Sequence, residues 1–435
     1  MIILLTDNIS PRLQYVADFI FRENWELKFL ITTDKKIFSL SEGIKINYSE
    51  AGLLTDEIRI MPSKILLEDF IQMQPVNILE FNGLKVFFQT NENTGSFPFD
   101  IFGAVFYLIS RYEEYLPHKK DAHGRYPHQA SVAFKNDFLK IPLVNLWLNF
   151  FKDLINHKSQ SSIVCKTRFE FIPTYDIDIA YEWKCKSFVR NAIHLATSSL
   201  NRGLGKAAEG FRVLTSNQKD PFDIFSWLTE MHTRFSLKPI YFFLVSQKTT
   251  RYDKNIHPLK RNMQELIKEH ALRYITGIHP SYYSLTSKQL FIEEKGMLEE
   301  ITSSVITHSK QHYLRFMLPD TFNTLSGAGI TDEYSLGYGT INGFRASYAG
   351  SFYLYDLHKE IKTNIRMHPF CFMDSNSIFH QKDTPANALS ELMYFYNQCK
   401  KVNAPLITVM HNHLIGDNSV EWKKMYSSFL ENIHA

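Results

Sequence analysis

What most constrains this chain is an alternation of two hydrophobic periods. Beyond residue 165, short apolar runs suited to buried strands recur at 169–175, 239–245, 274–278, 313–318, 365–372 and 406–410, with amphipathic helical patterns at 222–235, 259–270, 288–305 and 386–400. Strands separated by helices of this kind pair in parallel, because each helix carries the chain back across the sheet. The outcome is a doubly wound sheet or a (β/α) barrel, and no fixed-period repeat is present. The first part of the chain alternates in shorter units. Ile2 to Leu5 is a strand candidate, Ser10 and Pro11 open a helix, 26–32 returns as a strand, and Asp100 can cap an apolar helix. The polar stretch 157–162 marks the boundary, which predicts an N-terminal α/β domain over 1–162 and a larger one over 163–435.

Composition narrows the partners. Lys+Arg 48 against Asp+Glu 45 leaves +3, too small a balance for binding a phosphate backbone, so nucleic acid is not an expected partner. Cys165, Cys185, Cys371 and Cys399 stand far apart, which predicts free thiols in a reducing compartment. The apolar start is broken at Thr6-Asp7-Asn8, too soon for a signal peptide, and no stretch approaches the roughly 18 to 20 apolar residues of a membrane span. A cytoplasmic location is expected.

The chemistry should lie where strands end, because α/β folds place their sites there. The first run of the larger domain ends Thr174-Tyr175-Asp176-Ile177-Asp178, and residues two apart in an extended segment share a face. Asp176 and Asp178 can therefore enter one cavity, where a metal on one carboxylate relieves repulsion and leaves the other as a base. The alternative is a pair of helix-capping carboxylates. His279 closes another run as a candidate ligand, His312 stands at the fourth, and Val409-Met410-His411-Asn412-His413 closes the last. Lys310 reads as a solvated charge. Gly343-Phe344-Arg345-Ala346 can wall a groove, or can simply be a packed turn.

In this order the motifs resemble the polysaccharide deacetylase family, of the carbohydrate esterase 4 type, from about Cys165 to the C-terminus, with TxDxD in place of the commoner TFDDG. The resemblance implies a distorted (β/α) barrel and a metal-dependent hydrolase that removes an acetyl group, N-acetyl first, from a sugar or polysaccharide precursor. It implies Asp176 as general base, Asp178 and His279 as ligands of a divalent ion, zinc for this donor set, and His411 as the acid that protonates the leaving group. His279 matches the first histidine of the family's H-[ST]-x-x-H motif, and Tyr283 stands where the second would be. His312 is the candidate third ligand, and a two-ligand site or none are the alternatives. No Arg-Pro-Pro is present, so Arg345 is assigned as the cation near the base, with Arg315 the alternative. Tyr282, Tyr283, Tyr338 and Phe344 are candidate sugar-stacking rings, with core packing the competing role. Arg111-Tyr112-Glu113-Glu114-Tyr115 and Asp121-Ala122-His123-Gly124-Arg125 resemble the accessory domain that precedes such barrels in some bacterial proteins. The rival functions are a catalytically impaired carbohydrate-binding relative and a metal hydrolase of a non-sugar amide.

Overall fold

In the computed structural model, which describes residues 1–89, 97–202, 204–216 and 218–434, the opening apolar run forms β1 (Ile2–Thr6). It lies inside a parallel sheet with β2 (Phe29–Thr32), β3 (Ile44–Tyr48) and β4 (Ile58–Arg59), ordered β2–β1–β3–β4. Every residue of β1 is buried, as its unbroken apolar sequence requires. Ser10 caps helix Pro11–Ala17 by accepting from the Leu13 N–H, and Pro11 fills a first-turn position where its missing N–H costs nothing. Asp100 caps Ile101–Ile109 through the Gly103 N–H at 2.9 Å. A small hairpin, β5 (Leu79–Phe81) and β6 (Leu84–Val86), completes the strands of this part.

The larger sheet is built from β7 (Phe171–Ile177), β8 (Ile240–Leu244), β9 (Ile275–His279), β10 (His308–Ser309), β11 (Asp332–Glu333), β12 (Phe352–Asp356), β13 (Ile361–Met367), β14 (Phe372–Met373) and β15 (Leu406–His411). Its order is β12–β13–β11–β10–β9–β8–β7–β15–β14, parallel throughout except for the β12–β13 pair. Helices Phe225–Arg234, Arg261–Ala271, Lys288–Thr302 and Pro385–Lys401 supply crossovers. The motifs predict a distorted barrel. The hydrogen bonding is instead an open row, with no ladder joining β12 to β14 among the described residues.

Two runs fold differently from their periodicity. The segment 313–318 is not a strand: Tyr313 and Leu314 take left-handed backbone angles (φ 60° and 52°), which end an extended path, and the strand lies just upstream as β10. The run 365–372 divides into β13 and β14, which pair at opposite ends of the sheet. Pro369, without an N–H to donate to a ladder, sits at the break.

One contiguous core of buried side chains runs from Ile2 to Leu430 and so includes both parts of the chain. Polar contacts follow it across the junction. Arg12 pairs with Glu360 at 2.6 Å, Tyr348 donates to the Asn24 side chain at 2.7 Å, and Arg345 meets Glu114 at 2.6 Å. Among the described residues no helix is long and apolar enough to cross a membrane.

Candidate functional site

Strand β7 is flanked by β8 on one side and β15 on the other, so crossovers leave it in both directions. In open parallel sheets such a point leaves a crevice at the C-terminal ends of the strands. Here the register brings Asp176 opposite His411 and puts His279 beside Leu244 at the end of β9. Asp178 follows β7, His312 follows β10, and Asp374 follows β14. These ends border a cavity of about 470 Å³ lined by Asp176, Asp178, His279, His312, His411 and His413. Asp121, His123 and Arg125, from the N-terminal part, form another stretch of its wall.

One ligand atom each from Asp178, His279 and His312 lie within 4.8 Å of one another. The hydrogen bonds around them decide what those atoms offer. His279 Nδ1 lies 2.5 Å from the Lys310 carbonyl, which can only accept, so this nitrogen carries the proton and Nε2 is turned toward Asp178 Oδ1 at 3.1 Å. His312 Nδ1 is 3.0 Å from Asp253 Oδ1 in the same manner, leaving Nε2 facing Asp178 Oδ2 at 3.6 Å. Metal-binding imidazoles are oriented by such outer carbonyl and carboxylate partners. Asp178 Oδ1 is buried and has no hydrogen-bond partner. Acceptors that converge in this way need a cation or a proton between them. Burial opposes charge on both sides, yet Asp178 and Asp253 lift His312 to about 9, and His312 with His279 holds the Asp178 carboxyl well below the ordinary range. An aspartate and two imidazoles suit a borderline divalent ion such as zinc, so the donor set fits.

Two further carboxylates act on the groups beside this triad. The Lys310 ammonium, fully buried, donates to Thr174 Oγ1 at 2.6 Å and to Asp176 Oδ1 at 2.9 Å, and lies 4.6 Å from the centre of the Phe242 ring. Burial pushes this ammonium below the usual lysine range, and Asp176 pulls it back. Asp176 Oδ2 is left on the side of His279 Nε2, 3.9 Å away. On the far side, Asp374 Oδ1 lies 2.6 Å from His411 Nδ1, and Oδ2 accepts the His411 backbone N–H at 2.7 Å. Burial works against the imidazolium, but Asp374 outweighs it and raises His411 to about 9. His411 Nε2 then points toward Asp178 Oδ2 at 3.7 Å. An imidazole held by Asp374 and a carboxylate held by Lys310 thus border the same cavity beside the triad.

Other candidates lie elsewhere. Arg345 is a correction: its guanidinium donates to both oxygens of Glu114, at 2.9 and 2.6 Å, and to the Gly337 carbonyl, so it braces the junction instead of the base. The cation beside Asp176 is Lys310, a buried residue and not the solvated charge expected of it. Arg315 is occupied by the His123 and Tyr282 carbonyls. Phe344 is core, packed on Phe395, and Tyr338 is core beneath Arg345. Tyr282 is buried in a stack with Tyr252 at 3.8 Å and Tyr283 is exposed, and neither lines the cavity, whereas Tyr313 does. Sequence pattern alone does not reveal Asp253 or Asp374. Asp374 follows an apolar run as Asp176 does, a signal hidden by reading 365–372 as one strand.

Fold and site together define an α/β protein with a candidate metal centre at the C-terminal edge of a parallel sheet. Residues 2–160 match a family of unknown function (DUF7033). No curated protein matches the chain. Among solved structures, the chain is similar to one assigned as a polysaccharide deacetylase from Mycobacterium smegmatis, at 13% identity and a TM-score of 0.40, over 62% of this chain and 85% of that one. It is similar to the polysaccharide deacetylase from Bacillus cereus at 8% identity and a TM-score of 0.32, over 62% and 89%. It is also similar to a carbohydrate esterase 4 family pseudoenzyme from Bacillus anthracis at 9% identity and a TM-score of 0.29, over 49% and 58%.

Proposed function

We propose that this chain is a metal-dependent hydrolase that removes an acetyl group, N-acetyl in preference, from a sugar or sugar-bearing precursor. The observation that carries the reading is the pair of supported groups beside the triad: Asp176 held by Lys310, and His411 held by Asp374. Zinc held by Asp178, His279 and His312 would polarise the acyl oxygen and acidify a water. Asp176 accepts that water's proton on Oδ2 while Lys310 keeps Oδ1 engaged and the carboxylate oriented. His411, protonated through Asp374, gives the Nε2 proton to the departing nitrogen. An amine is a poor leaving group until it is protonated, which is why an N-acetyl substrate suits a histidine prepared as an acid. Residues 163–435 carry these groups, and residues 1–162 form a second unit whose loop with His123 and Arg125 closes the wall.

The test is acetate release from N-acetylated sugar oligomers by the zinc-loaded protein. His279→Ala and His312→Ala should each empty the site and abolish release together, with metal read by mass spectrometry after dialysis. Full zinc occupancy in His312→Ala would remove it from the ligand set. A chain that retains no stoichiometric ion and releases no acetate would instead be the impaired, carbohydrate-binding relative. For Lys310→Met, kcat/KM should fall about 10- to 100-fold with zinc retained, because Asp176 loses its charge-assisted partner. Lys310→Arg should recover part of that loss, and unchanged kinetics in Lys310→Met would end its role in positioning Asp176.

A further inference from the structure

A second cavity, of about 680 Å³, adjoins the first, and Phe379, His413 and Leu414 line both. Its charge is one-sided. Half-buried Lys186 and Arg190 and exposed Lys254 line it, and none of the three has a carboxylate within ion-pair distance among the described residues, although cations partly withdrawn from water are usually paired. Among the described residues Glu182 is the one carboxylate in the lining, and Lys206 already holds it at 2.8 Å. Lys186 donates to the Glu182 carbonyl, and Arg190 is anchored on the Asn255 and Lys254 carbonyls. These bonds fix both cations in place without neutralising them. Burial, and after it the Arg190 charge, lower the Lys186 ammonium to about 8 against the pull of Asp220 and Glu182. The Thr249 hydroxyl adds a neutral donor to the same wall, and Thr250 beside it donates to Asp253, the partner of His312, at 2.8 Å. The loop that orients a metal ligand therefore also borders the basic cavity.

We propose that this second cavity is an anion subsite that receives a phosphate group carried by the acetylated sugar. The proposal rests on the deacetylase reading for the sugar and on the cavity alone for the anion. Three cations exceed what a single carboxylate would offset, whereas a phosphate ester brings up to two negative charges and several acceptor oxygens. The shared edge at Phe379 and His413 lets one molecule span both cavities, with the acetyl group at the triad and the phosphate between Lys186 and Arg190.

Calorimetric titration of the full chain with N-acetylglucosamine 1-phosphate, N-acetylglucosamine and inorganic phosphate tests this without requiring turnover. The sugar phosphate should bind at least about tenfold more tightly than the neutral sugar, the least expected of charge-assisted hydrogen bonds to a fixed cation pair. Equal affinities would overturn the proposal in the wild-type protein alone. Free phosphate binding as tightly as the sugar phosphate would also overturn it, by showing a site for the bare anion. Lys186→Gln/Arg190→Gln should erase the preference, and Lys254→Gln, at an exposed position, should weaken it severalfold if the double variant does not fold. A preference retained in both variants would be evidence against the subsite. His279→Ala should keep the preference while losing acetate release, so failure of the deacetylase reading and failure of the subsite give different results.

Discussion

Asp176→Asn should lower acetate release about 10²- to 10⁴-fold, the range supplied by a positioned general base, while leaving zinc bound. The substitution keeps the shape of the side chain and an oxygen for Lys310, and removes the ability to take a proton. Asp176 is outside the three-residue ligand cluster, although Oδ2 comes within 3.9 Å of His279 Nε2. The metal measurement is therefore decisive: if Asp176→Asn empties the site as fully as His279→Ala does, Asp176 is a ligand and its assignment as base fails. Stability needs a parallel control, because the change leaves the buried Lys310 ammonium without its anion, and a broken buried pair costs about 3–5 kcal/mol. The double variant Asp176→Asn/Lys310→Met should recover much of that stability and none of the activity. Recovery of activity in the double variant would show that the first loss came from misfolding.

How much of this is legible before folding depends on the kind of signal each residue leaves. Asp176, Asp178, His279 and His411 stand at or just beyond the ends of apolar runs, so their position at a common sheet edge follows from strand direction, and the parallel arrangement from the helices between runs. Lys310 leaves no such mark. Its ammonium is buried because the side chain reaches Thr174 and Asp176 on β7, three strands from β10 in the sheet, a tertiary circumstance that a lysine in a polar stretch cannot announce. Asp253 lies in a loop without periodicity, and its partner His312 is 59 residues away. The aromatic residues are ambiguous for a related reason. Phe344 and Tyr313 both lie near polar motifs, and only packing separates the ring that fills the core from the one that faces the cavity. The open row of strands is hidden by β11 and β12, which are short or turn back antiparallel and so break the alternation.

Glu114→Ala should destabilise the protein by about 3–5 kcal/mol, the cost of breaking a buried ion pair. Glu114 is buried between two arginines: Arg345 reaches both of its oxygens, and Arg111 donates through Nε at 2.8 Å. Arg111 retains Glu113 at 2.8 Å, but Arg345 would keep only the Gly337 carbonyl and two aromatic faces, Phe316 at 4.4 Å and Tyr338 at 5.0 Å. A buried guanidinium without a counter-charge is the costly outcome. The same contact predicts a pH dependence. Burial raises the Glu114 carboxyl, but Arg345 and Arg111 outweigh it and hold it at about 2, below the ordinary 4.5. A depressed carboxyl contributes stability that is fully present above the unfolded value and lost as pH falls through the folded one, here between about 4.5 and about 2. Each pH unit between those two values is worth about 1.4 kcal/mol, so the loss across the window is about 3 kcal/mol, in line with the truncation cost. Urea unfolding of wild type and Glu114→Ala should therefore give curves that are far apart at pH 7 and converge toward pH 2. Arg345 also holds the segment that includes Gly339 and Thr340, both on the cavity wall, against the helix Tyr112–Tyr115. The variant should consequently lose sugar affinity before it loses zinc, whose ligands lie on strands and loops that Glu114 does not touch. A difference below about 1 kcal/mol at pH 7, or curves that stay parallel down to pH 2, would mean that the two arginines find other anions and that the junction does not depend on this carboxylate.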